Sequence, residues 1–327
     1  MRRRGPGFAA APRRARVVAG SAFAALALTA CVLLGRRLTH SSWPLAHASA
    51  LPVAGAALCY FLSFVLRARG WQMLFPREAR PAQAGCLASV GAAAASGIVL
   101  PFRLDYLIKV GTLRRLGGIR LGLEAIVLSI VSLGIVDAVA MLPLSISATA
   151  TTSASMRGPL LIVVAFGLGC CAVLVASARL VRLPLLRRSG LLLRLADGIS
   201  RHRSNGRRSA IAAGVYLLAC WTTRAVGSTL LLSALGLRFS PTTALCVLCL
   251  SAASGVVPVA AGGAAVNVGA TAAILLALGV GRDVAINFSL ASGLLLVTSA
   301  SAAAASGLVL SLAVRAAARR RPAPRPA

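Results

Sequence analysis

Six acidic residues face 35 basic ones in this sequence, and Lys109 is its only lysine. Carboxylates this scarce can be weighed singly. Asp137 lies deep in an apolar run, Gly134-Ile135-Val136-Asp137-Ala138. A carboxylate at membrane depth is costly and normally faces a cavity or a partner. Arg224, mid-run in Trp221-Thr222-Thr223-Arg224-Ala225, is the natural partner by sequence. Two readings stay open: a substrate or proton site, and an ion pair that locks two helices. Glu124 precedes Asp137 in the same run, but thirteen residues at about 100° each put them on different faces. They cannot work as an acid–base pair. Glu78, Asp197 and Asp283 fall in loop or interfacial segments and read as solvated.

A second group surrounds a helix break, Pro101-Phe102-Arg103-Leu104-Asp105-Tyr106-Leu107-Ile108-Lys109. On a helix, Asp105 and Lys109 are neighbours four apart and can pair. Arg103, Lys109, Arg114 and Arg115 can together hold a lipid phosphate, with arginine giving bidentate contacts. The alternative is a basic anchor at the membrane surface with one ion pair. A third group follows another break, Pro258 to Asn267. There Gly262 and Gly263 allow a backbone nest for an anionic group, or simply close helix packing. Asn267 is the polar side chain nearest that nest. The break residues are Gly97 and Pro101 in the first unit, and Gly255, Pro258, Gly262 and Gly263 in the second. The eight cysteines lie within apolar runs, where a thiol behaves as a small hydrophobe. The histidines His40, His47 and His202 are scattered. No catalytic set, metal-ligand cluster or nucleotide fingerprint is seen, so the expectation is no enzyme, no cofactor and no metal.

The elements that must position these groups follow from composition. The 327 residues are 58% hydrophobic and 13% charged, against roughly 25% charge in a soluble domain. A water-soluble enzyme and a disordered chain are both excluded. The net charge of +29 sits in short loops between apolar runs, the positive-inside pattern, so contact with anionic lipid explains it and nucleic-acid binding is not expected. Crossing helices need roughly 20 apolar residues. They are expected over about 17–34, 51–66, 121–147, 159–178, 209–235 and 283–312. The first of these is read as a retained span, not a cleaved leader. The stretches 83–101 and 243–280 are broken by Gly and Pro.

Loop charges place both termini inside the cell, which requires an even number of crossings. Six crossings satisfy this if both broken stretches are re-entrant, the first opening from the cytoplasm and the second from outside. Eight or more ordinary crossings fit the apolar runs as well. The fold expected is all-α: a polytopic bundle of about six crossing helices and two broken units, six to nine spans in all. Basic tails at 1–16 and 313–327 flank one membrane domain at 17–312. A repeat favours the re-entrant arrangement. Ala95-Ser96-Gly97-Ile98-Val99-Leu100-Pro101 resembles Ala253-Ser254-Gly255-Val256-Val257-Pro258. Leu113-x-x-Leu116-Gly117-Gly118-x-Arg120 resembles Leu275-x-x-Leu278-Gly279-Val280-x-Arg282. The repeat units run over about 83–147 and 243–312, and opposite opening faces make them inverted. Paired broken segments in two halves are the sequence pointer to a transporter's midplane site.

Several of these features together resemble the membrane (flippase-like) domain of lysylphosphatidylglycerol synthases. The carriers are Arg67-x-Arg69-x-Trp71, Pro101-x-Arg103, Leu113-Arg114-Arg115, Asp137, Pro258…Gly262-Gly263 and Leu278-Gly279-Val280. The resemblance covers about 50–312. The acidic residue after the first break is Asp105, where the family commonly has Gly-Glu. Asn267 is the nearest polar residue where the family carries a late Glu. The resemblance implies a polytopic helical fold and a role in moving or handling lipids. With no aminoacyl-transferase domain expected after the last span, a synthase is not. The expectation is a flippase or transporter for a lipid with an anionic head group, in a bacterial inner membrane. The alternative is a non-transporting scaffold of cell-envelope biogenesis. Expected partners are membrane lipids, and beyond them a second copy of the chain or an envelope-biogenesis protein.

Overall fold

A computed structural model describes residues 45, 48–97, 100, 104–117, 122–180, 207–237, 240–254 and 263–320. The expected span at 17–34 and the breaks Pro101, Gly255, Pro258 and Gly262 lie outside them. Among the described residues all regular structure is helical. The helices are α1 (Ala50–Met73), α2 (Gln83–Ser96), α3 (Asp105–Leu116), α4 (Leu123–Thr151), α5 (Ala154–Leu180), α6 (Arg207–Ala234), α7 (Pro241–Ser254), α8 (Gly263–Ala277) and α9 (Arg282–Arg320). Of these α1, α4, α5, α6 and α9 are long and apolar enough to cross a membrane. Large apolar side chains such as Leu58, Val131, Ile162, Val215 and Val309 are exposed on them. A water-soluble surface does not carry so many; a lipid-facing one does.

The other helices are short. At about 1.5 Å per residue, helices of 12 to 15 residues fall well below the ~30 Å hydrocarbon core. They work as hairpins. The Ala82 amide donates to the Gly117 carbonyl at 3.0 Å, so the start of α2 and the end of α3 meet. The Ser89 hydroxyl donates to the Lys109 carbonyl and fastens the two limbs. In the second hairpin, Leu235 and Leu237 before α7 share one core with Leu278 and Val280 after α8. The first unit therefore differs from expectation in one respect. The segment 83–101 does not enter and leave alone; its return limb is the basic α3, because Lys109 and Leu113 are buried against α2 and its neighbours.

Local signals set several boundaries. Pro241 occupies the first position of α7, where its missing N–H costs nothing. The Ser240 hydroxyl caps that helix by accepting from the Thr243 amide at 3.3 Å. The helices α6 and α8 end at Gly236 and Gly279, at φ +82° and +81°. In both, the amide after the glycine reaches back to close the last turn, Leu237 to Leu232 and Val280 to Leu275. Only glycine adopts that left-handed conformation without strain.

The packing has a two-fold plan. Exchange α1, α2, α3 and α4 for α6, α7, α8 and α9. Then α1–α2 maps onto α6–α7, α2–α3 onto α7–α8, α3–α4 onto α8–α9, α2–α9 onto α7–α4, and α1–α9 onto α6–α4. The pair α1–α6 maps onto itself. Among the described helices, α5, packed on α4 and α7, is the one left without a counterpart. The helices α1 and α6 run antiparallel, since Gly55 meets Leu230 and Gly70 meets Leu217. Equivalent helices thus point in opposite directions, and the repeat is inverted. The tightest contact joins α2 and α9. Any side chain at Gly91 would strike the backbone of Ala300 and Ala304, and at Gly307 that of Ala84 and Ala88. Small residues at this spacing let membrane helices approach closely.

Candidate functional site

Aligning the ends of α1 and α6, Met73 on Ala234, pairs Cys59, Tyr60, Ser63 and Arg67 with Cys220, Trp221, Arg224 and Ser228. Both sets put their polar groups on one helical stripe, three and four residues apart. The stripes face each other across α1–α6. Tyr60 and Ser228 join their hydroxyls at 3.1 Å. Arg224 Nε donates to Ser63 Oγ at 3.0 Å.

Asp137 completes the cluster from α4. It is the fifteenth of that helix's 29 residues, so it sits at mid-span. Arg67 Nη2 donates to its Oδ2 at 2.5 Å, with the two side chains only 21% and 12% exposed. Trp221 Nε1 donates to Oδ1 at 2.7 Å. Both oxygens of a carboxylate in an apolar surround are thereby engaged, as such a group requires. The Trp221 ring lies between two guanidiniums, 5.7 Å from that of Arg67 and 5.2 Å from that of Arg224. Arg224 also stacks on Phe64 at 5.2 Å.

Lys109 adds a third cation. It is buried on α3, its ammonium 4.5 Å from the centre of the Trp71 ring. Trp71 in turn donates to Ser129 on α4 at 3.1 Å. Lys109 and Arg224 are each within electrostatic reach of Arg67 and Asp137. Three cations thus share one central carboxylate. Adding Asp105, which also acts on Lys109, still leaves the cluster net positive.

The sequence-derived site residues divide. Asp137, Arg224 and Lys109 come together. The ion-pair partner of Asp137 is Arg67, not Arg224: α6 packs directly on α4 but presents Trp221 to the carboxylate, while Arg224 turns to Ser63 of α1. Arg67 enters the sequence reading only within Arg67-x-Arg69-x-Trp71 and not as a site residue; the stripe it shares with Tyr60 and Ser63, matched in Trp221, Arg224 and Ser228, is the signal that finds it. Lys109 makes no ion pair with Asp105 among the described residues; it faces Trp71. Arg114 and Arg115 are exposed, and the Arg115 carbonyl accepts from Arg315 Nη2. They belong to the surface, apart from the buried cluster. Gly97 caps α2 at the mouth of the first break, its amide donating to Ala93. Gly263 opens α8 and Asn267 lies on it. Arg103 and the Asn267 side chain lie outside the described residues. Among the described residues no group of three or more metal-ligating side chains occurs.

Chemically, the cluster can hold an anion. Its cations outnumber its carboxylates, aromatic faces shield them from lipid, and planar guanidiniums suit phosphate oxygens. A family model described as the lysylphosphatidylglycerol synthase TM region matches residues 15–304. Comparison with curated proteins gives no match, and comparison with solved structures gives none either.

Proposed function

Starting from the fact that the chain belongs to the lysylphosphatidylglycerol synthase transmembrane-region family, we propose that it is a flippase for lipids with an anionic head group. It is a multi-pass integral membrane protein of a family linked to lipid handling. The observation that carries the finer reading is the net positive cluster of Arg67, Lys109, Arg224 and Asp137, placed where the two inverted halves meet. Charges at membrane depth are retained where a polar substrate passes, and inverted repeats with broken helices place such sites near mid-depth. In this reading the lipid is moved without covalent change, and no cofactor takes part. The arginine-rich end, with Arg69, Arg77, Arg80, Arg114, Arg115, Arg208 and Arg315, faces the cytoplasm of a bacterial cell by the positive-inside rule.

The test is reconstitution in vesicles carrying head-group-labelled phosphatidylglycerol or phosphatidylcholine, with an added quencher reporting which leaflet holds the label. The expected result is protein-dependent movement of the phosphatidylglycerol label, lost in Arg224→Gln with the fold intact. Folded protein that moves neither label overturns the flippase reading in favour of a scaffold.

A further inference from the structure

The three cations are ordered along one helix. On α1, Ser63, Arg67 and Trp71 are four residues apart and share a stripe, each step rising about 6 Å. Arg224 meets this stripe at Ser63, through the bond from its Nε. Arg67 occupies the next turn. Lys109 meets it at Trp71, one turn further. Beyond Trp71 the stripe reaches the arginine-rich end. There the bond from Gln72 to the Pro81 carbonyl, the Ala82–Gly117 contact and the Arg315–Arg115 contact gather the ends of α1, α3 and α9 and the start of α2. Positive groups therefore run from that end to mid-depth at successive turns of α1, about 6 Å apart along its axis.

The other half does not repeat the ladder. Aligning Leu113 and Gly117 with Leu275 and Gly279 puts Thr271 opposite Lys109 and Ser299 opposite Asp137. Ser228 stands opposite Arg67, and Ser63 opposite Arg224. At three of these four pairs the first half carries the charge and the second a hydroxyl; at the fourth the order is reversed, Arg224 of the second half standing opposite Ser63.

We propose that Lys109, Arg67 and Arg224 are successive steps of one anion track, loaded from the arginine-rich end by the phosphate of a lipid, and that Asp137 is the internal counter-ion which that phosphate displaces from Arg67. This rests on the lipid-moving reading. The phosphate is recognised first by Lys109, which has the ring of Trp71 and no ion-pair partner among the described residues. It then competes with Asp137 for the Arg67 guanidinium. Arg224, whose Nε is held by a neutral hydroxyl, receives it at mid-depth. The other second-half positions equivalent to the charged ones, Ser228, Thr271 and Ser299, carry hydroxyls, which bind phosphate weakly and so favour release.

The tryptophans report the steps, because Lys109 sits on Trp71 and both arginines on Trp221. The protein, carrying Trp43→Phe, is placed in phosphatidylcholine bilayers with rising fractions of phosphatidylglycerol, and tryptophan emission is followed. Asp137→Asn removes the competitor and is expected to tighten the response to phosphatidylglycerol about tenfold, as loss of a competing contact of ~1.4 kcal/mol requires. Lys109→Gln is expected to weaken it by a similar factor and Lys109→Arg to restore it. Arg157→Gln, at the opposite end, leaves it unchanged. An unchanged or weaker response in folded Asp137→Asn overturns the track. If that variant does not fold, wild-type binding by Lys109→Gln overturns it. Inorganic phosphate added to pure phosphatidylcholine bilayers separates the two sources of the same chemistry; a response equal to that of phosphatidylglycerol overturns lipid loading. The label-movement assay runs on the same samples. Movement that persists while Asp137→Asn leaves affinity unchanged sinks the track alone. Tightened binding without any movement sinks the flippase reading and leaves the anion ladder standing.

Discussion

The halves related by the α1–α6 axis share a backbone plan and differ in charge. In the first, Arg67 and Asp137 form an ion pair and Lys109 is buried beside them. In the second, the same positions hold Ser228, Ser299 and Thr271. Their bonds are neutral: Ser228 meets Tyr60, and Ser299 donates to the Ala57 carbonyl at 3.3 Å. Duplication explains the shared packing. It does not by itself explain why the ion pair and the buried lysine stay on one side. A buried charge needs a partner with matched geometry, whereas a serine on a helix satisfies itself on its own backbone. The neutral set is thus cheaper to keep, and the ion pair and buried lysine kept in the first half, which Arg224 joins from the second, mark where an anion is handled.

The largest expected effect separates the halves by stability. Arg67→Gln leaves Asp137 at mid-span with only the Trp221 N–H. Breaking a buried pair by removing one partner costs about 3–5 kcal/mol. Ser228→Ala, at the equivalent position, removes one neutral bond and is expected to cost about 1 kcal/mol. Denaturation of both variants in detergent, followed by helical circular dichroism, checks this. Equal losses break the comparison.

The halves differ also in how closely each short helix approaches the other unit. The contact of α2 with α9 is made by Gly91 and Gly307 against alanines. The equivalent contact, α7 with α4, uses Cys246 and Cys249, and Thr152 bonds Cys246 at 3.2 Å. Gly91→Leu must push backbones apart and is expected to destabilise by about 2–3 kcal/mol. Cys249→Ala removes only a small buried group, for about 1 kcal/mol. The same denaturation series measures both. If Gly91→Leu is tolerated as well as Cys249→Ala, the two interfaces are alike in tightness.

Much of this plan was legible before any coordinates. Runs of apolar residues gave the long helices, because length and hydropathy decide what crosses a bilayer. The short helices on either side of 98–103 and 255–262 fall where Gly and Pro interrupt the apolar runs. Asp137 stood out by cost alone. What was not legible follows from how partners are chosen. The carboxylate of Asp137 had two arginines near the right depth, and sequence depth cannot say which of them points at it. Arg67 is only six residues from the end of α1, yet its guanidinium is drawn onto Asp137 of α4 and the Trp221 ring of α6. Lys109 was misjudged as well. Counted as a surface charge beside Arg114 and Arg115, it sits instead on the inward face of a hairpin limb, one turn and a half from them. Trp221 and Ser63 carry no charge and drew no notice, although the shared Cys-aromatic-x-x-polar stripe in α1 and α6 was there to be read.

The smallest effect isolates the aromatic at the centre of each half. Trp221 and Tyr60 are equivalent, and each donates or shares one polar bond: Trp221 to the Asp137 carboxylate, Tyr60 with the Ser228 hydroxyl. A hydrogen bond to a charged group contributes about 1.5–3 kcal/mol, and a neutral one about 1 kcal/mol. Tyr60→Phe keeps the ring and removes only the hydroxyl, so its cost is the neutral bond. Trp221→Phe removes the donor and part of the ring surface over which Arg67 and Arg224 stack. The difference between the two is expected to be about 1–2 kcal/mol. Adding Asp137→Asn to Trp221→Phe sharpens it further. With the carboxylate gone, the bond to Trp221 loses its charge, and the cost of Trp221→Phe is expected to fall toward that of Tyr60→Phe. A cost that stays the same in the Asp137→Asn background assigns Trp221 to packing, and the charged half then owes its special character to Arg67 and Lys109 alone.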